Sequence, residues 1–263
     1  MAFIQSRVTA TMFAAITLCA GPLMAEEWGT IRGQILVTGQ LPERTLVYRQ
    51  GEVFRRSEGE FVAKEDYYAE EIVVDPESGG LANVFIYLRS KPEQIHPELV
   101  EPPGESVTVR LQQCRFVPHC LFVRVGQELD VINEDPISNH AHEHPLRNHA
   151  SCGLLPPRAG DVFTLTYREA ERLPMKVTSD FFEWMDGRWL ILDHPYAAVS
   201  DETGKWEIHN LPAGTHEFVV YHETFLYIRK TLEVTVVGGE ATVLPPITID
   251  TAVLKEREVR IRR

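Results

Sequence analysis

One feature constrains this chain more than any other: a hydrophobic alternation of period two that keeps restarting. "TIRGQILV" places Ile31, Gly33, Ile35 and Val37 on one side. "SVTVRL" does the same with Val107, Val109 and Leu111, "DVFTLTY" with Phe163, Leu165 and Tyr167, and "MKVTS" with Met175, Val177 and Ser179. "LFVRVGQELDVIN" reads as two strand halves around Gly126, with Leu121, Val123 and Val125, then Leu129 and Val131, facing inward. Successive side chains of an extended chain point to opposite faces, so each run predicts a strand with one buried face. Asp75-Pro76, Gly79-Gly80, Pro102-Pro103-Gly104, Asp135-Pro136 and Gly238-Gly239 punctuate the runs with turn signals. Short strands spaced by such turns build sandwiches or barrels, so the expected fold class is all-β. "NVFIYLR" (83–89) differs, being a short continuous apolar run. The charged stretch 49–71 is weakly periodic and reads as either a short helix or an irregular excursion.

The start of the chain bears on its compartment. Arg7 is the one charge before an apolar run from Val8 to about Met24, and the small Ala25 precedes Glu26-Glu27. This is the pattern of a signal peptide over residues 1–25, which places the mature chain in the periplasm or outside the cell. The run is too short to span a bilayer, and no later segment is long enough, so no integral membrane span is expected in the mature chain. Export implies an oxidising setting, in which Cys114, Cys120 and Cys152 remain. An odd number cannot all pair, and one disulfide with one free or metal-bound thiol is the simplest arrangement; which two pair stays open. Cys114 and Cys120 are near enough in sequence for a tight turn at Pro118 to bring them together.

Hydrophobic residues make up 44% of the 263, enough for a sizeable core. The formal charge of −12 at pH 7 excludes a broad phosphate-binding surface, so no nucleic-acid partner is expected. The basic tail 253–263, with "KEREVRIRR", reads as a solvated end. Catalytic signatures are missing from the sequence: there is no G-x-S-x-G elbow, P-loop or G-x-G-x-x-G. His142-Glu143 opens like a zinc-protease motif, but Leu146 stands where the second histidine belongs and Pro145 breaks the required helix. The chain is therefore not expected to be an enzyme.

"NHAHEHPLRNH" (139–149) concentrates His140, His142, His144 and His149. The first three alternate, so on an extended segment they line one face; His149 can fold back, and Cys152 adds a thiolate. The plain alternative is a solvated loop.

The order of larger motifs adds a resemblance. "CRFVPHC", "LFVRVGQELDVINEDPISNHAH", "LPMKVTSDFFEWM", "DHPYAAVSDETGKWEIHNLPAG" and "YHE" follow one another, after "GTIRGQILVTGQLP" and "PESGGLANVFIYL". Over most of residues 29–223 the chain resembles secreted cupredoxin-like proteins of the plastocyanin-like or methylamine-utilisation type with a carboxypeptidase-regulatory-like β segment. The resemblance implies a cupredoxin-like Greek-key sandwich over about 106–193 and a regulatory-like (transthyretin-like) β-sandwich portion over 194–252, with 26–105 supplying strands to one or both. It also implies a blue-copper pocket of two histidines, a cysteine and a weak axial methionine. Here the cysteine and one histidine positions hold Ser179 and Phe182, the methionine is Met185, and the remaining histidine has slid from position 139, now Asn139, to His140. Copper binding of the blue type is therefore not expected. His140, His142, His144 and His149, with Cys152 or Met185, remain candidate ligands for Cu(II) or Zn(II), serving copper handling or electron transfer with an unidentified redox or protein partner. The alternative is a metal-free module that binds a protein or saccharide. His119 and His222 read as structural histidines.

Overall fold

The computed structural model describes residues 27–41, 43–57, 59–157, 160 and 162–252; the expected signal peptide and basic tail lie outside them. The expected all-β class is what the chain adopts, as four stacked sheets. In the first sheet, Trp28–Thr38 pairs antiparallel with Lys205–Pro212 and parallel with both Ala241–Val243 and Ile247–Asp250. The second runs Ala197–Val199, Phe85–Leu88, Gly214–His222, Leu226–Val236. The third runs Cys152–Leu155, Asn139–His144, Met175–Thr178, Asp186–Leu192, Cys120–Arg124. The fourth runs Val162–Thr166, Glu128–Asn133, Val107–Leu111, Phe116–Val117.

The alternation read from the sequence explains the stacking. Ile31, Ile35, Trp206 and Ile208 of the first sheet meet Ile86, Leu88, Phe218 and Val220 of the second. Val109, Leu111, Leu129 and Val131 of the fourth meet Leu121, Val123, Val177 and Trp189 of the third. Phe85–Leu88 is buried on both faces, which is why "FIYL" is apolar throughout. Ile86 and Leu88 point into one core, while Phe85 and Tyr87 pack with Leu190, Leu192 and Val219 between the sandwiches. Gly126, at φ 83°, makes the turn that carries the chain from Cys120–Arg124 in the third sheet to Glu128–Asn133 in the fourth.

The 26–105 stretch divides between the two sandwiches. Trp28–Thr38 and Phe85–Leu88 pair into the C-terminal one. The charged segment between them is neither a helix nor irregular. It forms two ribbons, Leu46–Tyr48 with Tyr67–Tyr68 and Val53–Arg56 with Gly59–Val62. Tyr48, Phe61 and Tyr67 are buried in the other core, and Phe54 lies 6.2 Å from Phe182 and 5.2 Å from Trp184, ring to ring. These aromatic anchors outweigh the charges that mask the strand pattern in the sequence. No helix among the described residues is long and apolar enough to cross a membrane.

Candidate metal centre

Asn139–His144 is flanked on both sides, by Cys152–Leu155 at the sheet edge and by Met175–Thr178. Ala141 and Glu143 are buried on the core side, while His140, His142 and His144 share the opposite face, where burial falls from His140, which is buried, to His144, which is exposed. The imidazoles form a row, with ring centroids 6.1 Å apart for His140–His142 and 4.5 Å for His142–His144. His140 is buried beneath Phe181, whose ring centroid lies 5.4 Å away. Its Nε2 lies 2.9 Å from the Cys152 Sγ, and its Nδ1 lies 3.4 Å from the Asp180 carboxylate. The other Asp180 oxygen lies 3.3 Å from Nδ1 of His142. A donor atom from each of His140, Cys152 and Asp180 thus falls within 4.8 Å of the others. His144 turns away, its Nε2 placed 2.9 Å from the Thr178 hydroxyl.

Two sequence candidates stand apart from this cluster. His149 is exposed in the loop after the histidine strand and is not among the converging donors. Met185 is sealed in the main core at 1% exposure, where apolar packing claims its thioether. Asp180, which joins the cluster, escaped the sequence reading. Its signal was position alone: it directly follows Ser179 in the loop where the resemblance places the lost copper ligands.

The positions that the resemblance assigns to a blue-copper pocket do not offer a copper ion that ligand set. Asn139 is fully buried, its Nδ2 donating to Asn133 Oδ1 and Asp135 Oδ2 at 2.9 Å each. Its Oδ1, a neutral amide oxygen, is left without a partner. Ser179 Oγ accepts the Phe181 N–H at 3.2 Å. The loop is closed by Ser179 N–H to the Met185 carbonyl at 2.9 Å and Met185 N–H to the Phe182 carbonyl at 3.0 Å. Phe182 stacks 5.1 Å from Trp184 and supplies only carbon. There is no thiolate and no imidazole in this set, so the two strongest ligand types of such a site are missing.

The expected disulfide does not form, because Cys114, Cys120 and Cys152 are all free. Burial pushes the Cys114 and Cys120 thiols well above the usual range, whereas Cys152 is exposed. Cys114 is held in the core by its own backbone, whose N–H donates to Asp135 at 2.8 Å.

A second group, His119, Cys120 and Glu223, also brings donors within 4.8 Å. It is already satisfied as an ion pair. His119 Nε2–H donates to Glu223 at 2.5 Å, Nδ1–H donates to the Asp186 carbonyl at 3.1 Å, and Arg188 lies 2.7 Å from the other Glu223 oxygen. Burial opposes charge on His119, but the Glu223 hydrogen bond and the nearby carboxylates overcome it and raise its pKa. His222 is fully buried, and burial lowers its pKa to about 4. Its Nδ1 accepts the Thr224 N–H at 3.2 Å. Both histidines are buried and hydrogen-bonded.

No family model matches the chain, and no curated protein matches it. Solved structures overlap it in part. A Cu-containing nitrite reductase (NirK) from Thermus scotoductus SA-01 shows 17% identity and a TM-score of 0.31, over 37% of this chain and 27% of that one. A proline variant of amicyanin in its reduced state shows 18% identity and a TM-score of 0.30, over 40% of this chain and 97% of that one. A purple cupredoxin from Nitrosopumilus maritimus shows 16% identity and a TM-score of 0.28, over 33% of this chain and 99% of that one. The chain spans about a quarter of the nitrite reductase's length.

Proposed function

We propose that this chain is an exported cupredoxin-like protein that binds copper or zinc outside the blue-copper pocket, at His140, Cys152 and Asp180, with His142 at the margin. The observation that carries this reading is the convergence of an imidazole, a thiol and a carboxylate within 4.8 Å. Nitrogen and sulfur donors suit copper and zinc, and a carboxylate completes common zinc sets. The bound ion would supply a Lewis-acidic or redox centre, while the chain's own residues hold and orient it. Phe181 shields one face of His140, and Cys152 lies at the open sheet edge, so an ion there has access from solvent. Copper handling fits such an accessible site better than electron transfer, which favours an enclosed one. Calorimetric titration with Cu(II) and Zn(II) tests the proposal. One-to-one binding that disappears in both His140→Ala and Cys152→Ser supports it, and heats equal to those of a histidine-free control overturn it.

The packed pocket favours a second reading, a metal-free module in which the sandwich presents a surface to a protein or saccharide. Phe182, Trp184 and Phe54 fill the place of the lost ligands with mutual ring contacts. In that case the same titration gives no specific heat. In neither reading is the protein an enzyme.

A further inference from the structure

We propose that Cys152 is a nucleophilic thiol that exchanges with small external disulfides and becomes covalently capped. This activity goes beyond metal binding and does not require a bound ion, although it uses the same side chains.

Three observations meet at this residue. Cys152 is the one exposed thiol among the described cysteines, since Cys114 and Cys120 are buried. It lies on the edge strand of its sheet, where no further strand covers it, and its neighbour Leu154 on the same face is 63% exposed. Cys152 is therefore open to a disulfide reagent from solvent. Third, the sulfur does not stand alone. His140 Nε2 sits 2.9 Å from it, and Asp180 Oδ2 sits 3.4 Å from Nδ1 of the same ring. With the ring proton on Nδ1, facing the carboxylate, Nε2 offers its lone pair to the thiol. A nucleophile touching a base, and the base touching an orienting carboxylate, is the arrangement that activates a thiol. The Asp180 backbone N–H also approaches Nδ1 at 3.4 Å and competes for that orientation. The other charged or titratable groups around the pair are His142, 6.1 Å from His140 ring to ring, and Arg56, which stacks on the Phe181 ring that covers His140.

The step balances without further cofactors. As the Cys152 Sγ attacks one sulfur of R–S–S–R, His140 takes the thiol proton. The Sγ–S bond forms, the reagent S–S bond breaks, and the departing R–S⁻ receives the proton from His140 as R–SH. The disulfide is the oxidant: its departing sulfur is reduced from the disulfide to the thiol level as the Cys152 sulfur rises from the thiol to the disulfide level, and the number of S–S bonds is unchanged. A soft thiolate sulfur suits a soft sulfur electrophile.

The test uses metal-free protein in chelator, with oxidised glutathione and with an aromatic disulfide that releases a coloured thiolate. Peptide mapping should find the adduct on Cys152 before Cys114 or Cys120. His140→Ala should slow capping at least about tenfold, and Asp180→Asn, a change at an exposed side chain that leaves the core untouched, should slow it severalfold. Capping of Cys152 no faster than that of a cysteine in an unstructured peptide overturns the proposal, as does an unchanged rate in the Asp180→Asn variant. A parallel arm adds zinc. Fast capping that zinc fails to slow sinks the metal reading and leaves this one standing; slow capping in a protein that nevertheless binds zinc does the reverse.

Discussion

His140 and Cys152 sit diagonally across two antiparallel strands, with Cys152 registered opposite His142 and His140 opposite Leu154, yet the Nε2–Sγ distance is 2.9 Å. Diagonal neighbours on one face of a sheet are within reach of long side chains, and an imidazole bridges that gap. The pair is fixed by register, so a one-residue slip would turn Cys152 to the opposite face. This relationship sets the first prediction. Cys152→Ser and His140→Ala should each abolish one-to-one zinc binding, and Asp180→Asn should weaken it about tenfold. His149→Ala and Met185→Leu should leave the affinity unchanged, because neither residue is among the converging donors. Calorimetry on the five variants checks the order.

Copper loaded into a Cys152→Ser protein, which lacks the exposed thiol, should give no intense visible thiolate band, since Ser179 and Phe182 offer neither thiolate nor imidazole. Adding Asn139→His, Ser179→Cys and Phe182→His to the Cys152→Ser protein should produce that band if these positions form one pocket with Met185. Absorption spectra of the two copper-loaded proteins decide the matter. Colour in the Cys152→Ser protein that keeps Ser179 and Phe182 would contradict this account of the pocket.

The ribbon Val53–Arg56 with Gly59–Val62 is predicted to be part of the core rather than a dispensable excursion. Phe61 is buried, with its ring 6.1 Å from Tyr48 and 5.7 Å from Phe54. Phe61→Ala should cost about 3 kcal/mol, the low end for removing a buried aromatic ring. Val62 alternates outward and is 46% exposed, so Val62→Ala should change stability by less than about 0.5 kcal/mol. Urea denaturation midpoints of the two variants test the contrast.

The strands were legible because burial on one face writes itself into every second residue. Ile31 and Ile35, Val109 and Leu111, and Leu129 and Val131 all reach the cores their spacing predicts. The row of His140, His142 and His144 was legible for the same reason. What escaped the sequence was set by contacts between distant segments. Asp180 reaches His140 across 40 positions, and no local pattern records that. The strands around Phe54 and Phe61 are only four residues long, each with a single aromatic beside charged residues, too little to stand out in a charged stretch. Cys114 and Cys120 stay apart because each is fixed in its own apolar surroundings, Cys114 in the main core and Cys120 between the sandwiches.

The His119–Glu223 pair should give stability a pH dependence with two edges. His119 has a folded pKa above its ordinary 6.5, so its contribution is complete below 6.5 and is lost as pH rises through the folded value. For Glu223, burial acts to raise the pKa, but the His119 hydrogen bond and the charges of His119 and Arg188 lower it below 4.5. That contribution is complete above 4.5 and is lost as pH falls through the folded value. The pair therefore stabilises most between about 4.5 and 6.5, the two reference values. Glu70 and Asp186 face the same imidazole and strengthen the upper edge. His222 acts in the opposite sense: kept neutral by burial, it makes folding less favourable as pH falls from 6.5 toward 4. Whole-protein profiles mix these trends, so the difference between wild type and Glu223→Gln isolates the pair. That difference, from denaturation midpoints between pH 3 and 9, should peak inside the window and shrink on both sides. A difference independent of pH would mean the pair contributes by packing rather than by charge.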